Sequence, residues 1–254
     1  MPSPPHPDRE KGVFETLLVV DGRPVELDSH VARLEASLGE LFEAVAPAGA
    51  RDDLLSKASN VSLGRLRLTI APESSGGLVY EVTVANVDRA MVFPSWEHGI
   101  ALRSVAAPEW TGRHKWADRS GLERLEASLD GAMPLLLGEG GTPLETSRAN
   151  VFAVRGGTLT TPPLDGRILP GIARARTIEI AGAMGIGRRE RSVALTDLLD
   201  AEEMFLTGSV RGIEPVRSLD GVEFEPRSDA TARLAAELHR RWLGPSPAGR
   251  SATG

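Results

Sequence analysis

The chain has 254 residues, 41% hydrophobic and 25% charged, which is enough apolar material for one large core or two modest ones and excludes a disordered or fibrous class. With 35 acidic residues against 29 basic the net charge is −6, which argues against a general nucleic-acid binder and leaves any anionic small molecule to be met by local arginines. Cysteine is absent, so a disulfide framework, a thiolate metal site and a cysteine nucleophile are all excluded.

Residues 1–11 are proline-rich and polar and predict a disordered leader with no signal-peptide core. No run of about 18 apolar residues follows, so a cytoplasmic protein without membrane contact is expected. Residues 13–20 have strand composition, Asp21-Gly22 is a hairpin signal and residues 24–27 return. Asp28 or Ser29 is placed to cap a helix in which Val31, Leu34, Leu38, Leu41, Phe42 and Val45 recur at helical spacing, with His30 and Arg33 on one side of its first turns. A second short helix is expected over 51–60. Leu66, Leu68 and Ile70 then alternate with Arg65, Arg67 and Thr69 in a half-buried strand, a turn at 74–77 leads to Tyr80, Val82 and Val84 in the next, and residues 99–106 supply another. These elements predict a small α+β domain over 12–107, joined by a linker at 108–113 where alternation stops.

A larger domain is expected over 114–243. Ser120-Gly-Leu-Glu123 has capping-box spacing, and Leu122, Leu125 and Leu129 mark a helix face behind it, so Lys115 sits just ahead of a helix and between domains. Residues 150–154 and 158–161 flank the turn signal Arg155-Gly-Gly157, and Pro162-Pro163 ends the pairing. Pro170-Gly171 opens a helix carrying Ile172, Ile178 and Ala181, whose first amides point outward and favour an anion. Strands follow at 188–195, 202–210, 213–216 and 221–224, then a last helix over 229–242 with Leu234, Leu238 and Trp242 inward, and a mobile tail at 244–254. His6, His30, His98, His114 and His239 lack ligand spacing, so no metal site is expected. From the residues alone, Lys115 and Arg33 read as solvated surface charges and Glu145 as a hairpin carboxylate.

Their order alters that weighting. Phe14-Glu-Thr16, His30-Val-Ala-Arg33-Leu34, Lys115-Trp-Ala-Asp-Arg119, Glu145 ahead of Asn150, Thr161-Pro-Pro163 and Leu169-Pro-Gly-Ile172 together resemble the pyridoxal-phosphate enzymes of fold type IV. This group holds the branched-chain and D-amino-acid aminotransferases and the 4-amino-4-deoxychorismate lyases. The resemblance spans residues 12 to 221 and is nearest the lyases. It implies an α/β (α+β) fold with a small N-terminal α+β domain and a larger, β-barrel-like C-terminal α/β domain, with pyridoxal 5'-phosphate between them. By the same resemblance Lys115 is the Schiff-base lysine and Glu145 the carboxylate for the ring nitrogen. Arg33, Gly171, the amides of Ile172 and Ala173, and Ser209 hold the phosphate. Phe14, Arg103, Arg113 and Arg211 are candidates for the substrate side.

The implied activity is the lyase reaction, taking 4-amino-4-deoxychorismate to 4-aminobenzoate and pyruvate. The alternatives are an aminotransferase for branched-chain or D-amino acids and a non-catalytic relative. A small-molecule substrate, a homodimer and aminodeoxychorismate synthase as a pathway neighbour are implied too. Three departures stand out: Ala173 replaces a common threonine or serine, the strand before Gly12 is shortened, and Ser120 replaces the tyrosine of branched-chain aminotransferases.

Overall fold

The computed structural model describes residues 6–225 and 229–244. Its first strand, β1 (Val13–Val20), is buried on both faces and turns through Asp21-Gly22, both at positive φ, into the two-residue β2 (Arg23–Pro24). Two helices follow, α1 (Leu27–Phe42) and α2 (Ala50–Ala58), then the antiparallel strands β3 (Leu63–Pro72) and β4 (Leu78–Asn86). The small sheet has the order β2-β1-β3-β4. Leu17 and Val19 of β1 meet Leu34 and Leu38 of α1, Leu54 of α2, and Leu66, Leu68 and Ile70 of β3 in one core. The start of α1 differs from expectation. Glu26, not Asp28 or Ser29, occupies the cap in a left-handed conformation, and Arg176 chelates its carboxylate at 2.8 Å through both Nε and Nη2.

The expected leader is also corrected within the described residues. Residues 9–11 form a short 3-10 turn, the Asp8 amide donates to Asp118 Oδ2 at 2.9 Å, and Lys11 pairs with Asp118 at 3.1 Å. Hydrogen bonds therefore anchor a segment that composition alone left loose, while residues 1–5 lie outside the description, as does the expected tail beyond Gly244.

The remaining strands form a second sheet. In chain order the elements are β5 (Ile100–Ala106), α3 (Ser120–Ala127), β6 (Met133–Leu137), β7 (Pro143–Thr146), β8 (Asn150–Arg155), β9 (Thr158–Thr161), α4 (Ile172–Ala183), β10 (Gly187–Glu190), α5 (Leu195–Leu199), β11 (Glu203–Gly208), β12 (Gly212–Leu219), β13 (Val222–Glu223) and α6 (Asp229–Leu243). The sheet order is β10-β9-β8-β11-β12-β5-β6-β7, with β13 on β12, and β7 pairs again with β8. That last pairing closes β8, β11, β12, β5, β6 and β7 into a ring, the barrel-like sheet expected. No helix among the described residues is long and apolar enough to cross a membrane.

β5 was expected in the small domain and is not there. It runs parallel to both β12 and β6, and its Leu102 packs with Leu135, Val151, Leu206 and Val216 inside the ring. The boundary expected at 107 thus falls ahead of β5. The capping box before α3 does not form either: Arg119 is the cap residue without a side-chain bond, and Asp118 Oδ1 accepts from the Ser120 amide at 3.2 Å instead. On the neighbouring strands β8 and β11, the paired Phe152 and Phe205 stack at 5.0 Å and share a core with Ile180 of α4, with Leu234, Leu238 and Trp242 of α6, and with Leu18 and Val20 of β1. Both sheets share this core.

Candidate active site

A cleft of about 980 Å³ opens between the sheets, lined by β1 and β3 on one side and by the connector, β7, the start of α4 and the turn after β11 on the other. Lys115 reaches it from a connector laid along β1. The Phe14 amide donates to the Lys115 carbonyl and the Ala117 amide to the Gly12 carbonyl, each at 2.9 Å, with Val13 and Trp116 bridged between them. The lysine's Nζ then lies 4.8 Å from the centre of the Phe14 ring. Burial, followed by the Arg33 charge, brings its pKa down to about 8.

Glu145 comes from β7. Its Oε2 accepts from Asn150 Nδ2 at 2.9 Å and its Oε1 from the Leu169 amide at 3.1 Å. Burial pushes this carboxyl up to about 8, a rise that the Leu169 bond and the charges of Lys115, Arg33 and Arg119 offset only in part. Asn150 Nδ2 also donates to the Leu169 carbonyl at 3.0 Å, so one amide ties Glu145 to the turn ahead of α4. In that turn Gly171 has an ordinary φ, but a Cβ on it would stand 1.9 Å from Asn150 Oδ1. Ile172 and Ala173 begin α4 with no side-chain cap over their amides.

Arg33 projects into the cleft beside this helix start. Its Nε and Nη2 donate to the two oxygens of Glu15 at 2.7 Å each, and Nη1 donates to the Pro170 carbonyl at 2.9 Å. His30 Nδ1 stands 2.7 Å from Glu15 Oε2. Burial would raise the Glu15 carboxyl, but Arg33 and His30 prevail and hold it at about 2. Ser209 lines the cleft just after β11, and near it the buried Thr207 hydroxyl has no partner among the described residues.

The substrate-side candidates divide. Phe14 lines the cleft with the Arg67 guanidinium 3.9 Å from its ring centre, and Arg211 lines it too, chelated by Glu214 through Nε at 2.8 Å and through Nη2. Arg103 and Arg113 do not belong to it. Because β5 lies in the ring, Arg103 points out to a separate depression shared with Arg217 and Asp130. Arg113 is 59% exposed and pairs with Glu40 of α1 at 3.2 Å.

The cleft also holds arginines to which the sequence reading gave no site role: Arg65, Arg67, Arg119 and Arg148. Arg119 and Arg148 share Glu126, whereas Arg65 and Arg67 have no carboxylate partner among the described residues. The alternation of β3 had placed those two opposite its buried leucines. What it could not say was that their face borders a cleft.

These residues fit pyridoxal phosphate. An uncapped helix start beside Arg33 and a Thr207 hydroxyl unpartnered among the described residues suit a phosphate, a lysine within the cleft suits an aldehyde, and the buried Glu145 carboxyl has no ion-pair partner among the described residues, which a protonated ring nitrogen would supply.

Comparison with known proteins agrees. Over 75 residues the chain is 47% identical to the mitochondrial branched-chain-amino-acid aminotransferase 1 of Arabidopsis thaliana, a match covering 30% of this chain and 20% of that protein. Matches to the curated relatives span less than half of those proteins' length. Among solved structures, the 4-amino-4-deoxychorismate lyase of Pseudomonas aeruginosa superposes with a TM-score of 0.77 at 25% identity, covering 91% of this chain and 90% of that one. The pyridoxal-phosphate-bound form of a hypothetical aminotransferase from Mycobacterium tuberculosis gives 0.79 at 22% identity, covering 96% and 95%. Residues 12–219 match the amino-transferase class IV family model, so the chain belongs to that family of pyridoxal-phosphate enzymes.

Proposed function

We propose that this chain is a lyase that converts 4-amino-4-deoxychorismate to 4-aminobenzoate and pyruvate. The observation that carries this reading is the Lys115-Trp-Ala-Asp-Arg119 segment, which resembles the lyases more than the branched-chain aminotransferases; the likeness to the Pseudomonas aeruginosa lyase over nine-tenths of each chain accords with it, and the Mycobacterium tuberculosis aminotransferase is matched as fully. Arg65 and Arg67 support the lyase reading, because both line the cleft without a carboxylate partner among the described residues, Arg67 over the Phe14 ring that Lys115 also approaches, and suit a substrate with two carboxylates.

When bound, pyridoxal phosphate supplies an aldehyde for the substrate amine and a ring that takes up electrons. Arg33, the amides opening α4 and Ser209 hold its phosphate, and Glu145 is the carboxylate for its ring nitrogen. Lys115, drawn down to about 8, has enough neutral amine near neutral pH to take the proton from the amine-bearing carbon of the substrate. Loss of that proton and cleavage of the ring carbon–oxygen bond, with the enolpyruvyl group leaving with its oxygen and the bonding electrons, give an aromatic ring, which drives the cleavage. Lys115 returns the proton to the methylene carbon of the departing enolpyruvate, so pyruvate forms and no water is consumed.

The test supplies enzymatically made 4-amino-4-deoxychorismate and follows both products, with L- and D-amino acids offered alongside 2-oxoglutarate in parallel. Equal release of 4-aminobenzoate and pyruvate is expected, and none from Lys115→Ala. The Arabidopsis thaliana match favours a second reading, an aminotransferase; amino transfer with no aromatic product would establish it and overturn the lyase. We also propose a homodimer in which a partner's small-sheet loop closes each cleft. Sedimentation of a fully active monomer would contradict that.

A further inference from the structure

Glu15 lies where an apolar side chain belongs. It alternates with Val13, Leu17 and Val19 on the face of β1 that forms the small core, and it is 2% exposed. A lone carboxylate there would be strongly disfavoured. Three donors compensate it: His30 Nδ1 on one oxygen, and the Nε and Nη2 edge of Arg33 across both. Arginine has five N–H groups in a rigid plane. Glu15 takes two of Arg33's and the Pro170 carbonyl takes a third, from a residue just ahead of α4. Two N–H groups remain, and Arg33 lines the cleft beside Gly171, Ile172 and Ala173.

We propose that Glu15 is a positioning residue for the cofactor phosphate. It acts through Arg33, holding the guanidinium plane so that its two free N–H groups and the uncapped amides of α4 converge on one anion. Without the carboxylate, Arg33 would keep a single bond to Pro170 and regain its side-chain rotation. The Glu15 charge also offsets that of Arg33 near Lys115, raising the lysine's affinity for a proton where Arg33 lowers it. The inference rests on pyridoxal phosphate as the cofactor and is independent of whether lyase or aminotransferase chemistry follows.

Two variants separate positioning from bulk structure. Glu15→Asp keeps the charge but falls one methylene short of the chelate, and Glu15→Gln keeps the length but loses the charge. Cofactor-free protein is titrated with pyridoxal phosphate and, separately, with pyridoxal, which lacks the phosphate, while melting is followed by circular dichroism. In both variants pyridoxal phosphate affinity is expected to fall roughly tenfold or more, with pyridoxal affinity changed less than about twofold. Inorganic phosphate should compete with pyridoxal phosphate less well than in the parent. Equal weakening for both ligands, or unchanged pyridoxal phosphate affinity in folded Glu15→Asp, overturns the proposal. Unfolding of both variants that pyridoxal phosphate does not reverse would assign Glu15 a purely structural role and overturn it as well.

Discussion

In the cofactor-free protein the buried Glu145 carboxyl carries a stability cost that grows with pH. The carboxyl is held at about 8 against 4.5 in the unfolded chain, because burial disfavours the charge. Below 4.5 both states are protonated and nothing is lost; as pH rises toward 8 the unfolded chain ionises first, so the folded state is progressively destabilised. Glu145→Gln removes this slope. Cofactor-free Glu145→Gln protein should therefore gain on the order of 1–3 kcal/mol relative to the parent between pH 5 and pH 8. The same variant should bind pyridoxal phosphate more weakly, since a protonated ring nitrogen would no longer meet a carboxylate. Melting temperatures of both proteins at the two pH values decide it; parallel curves would mean that Glu145 ionises normally. Spacing and composition alone left Lys115 and Glu145 as a surface charge and a hairpin carboxylate, and it was the resemblance to fold-type IV enzymes that singled them out. Spacing and composition were silent on Glu15, a charge within an apolar run, and on Arg65 and Arg67, because only the closed tertiary structure tells a solvated strand face from a cleft wall.

The start of α4 shows what one element contributes. Gly171 is needed for space and not for conformation, since its φ of −67 suits any residue while its missing Cβ makes room for the Asn150 amide. Gly171→Ala should push that amide away from both Glu145 and Leu169, costing roughly 1–3 kcal/mol of stability. Pyridoxal phosphate affinity should fall with it. A thermal melt and a cofactor titration measure the two losses, and an alanine variant with parental values would show that the turn shifts freely. The β8–β9 hairpin and α4 were legible because turn residues and helical spacing act over a few positions. The membership of β5 was not: its alternation marks a strand, but its partners β6 and β12 are chosen by burial of Leu102 far along the chain. β6, β7 and the five-residue α5 carry too little periodic signal to stand out.

For the whole molecule, the shared core outweighs the division into two sheets. Leu18, Val20 and Val92 pack in one cluster with Phe152, Phe205 and Leu234, so neither sheet can be exposed without opening the other. Urea unfolding of the cofactor-free protein should accordingly be a single transition, with tryptophan fluorescence and far-ultraviolet circular dichroism superimposing. Trp116 reports on the small core and Trp242 on the shared one, and two separated steps would refute the coupling. The ring adds a constraint in time. Every strand of the small sheet has left the ribosome once Asn86 has emerged, but β5 at Ile100 must wait for its neighbour β12 at Val216. A nascent chain that already carries Lys115, Glu145 and the residues of α4 therefore still lacks a closed ring to hold them in place, and cofactor capture belongs to the last stage of synthesis or after it.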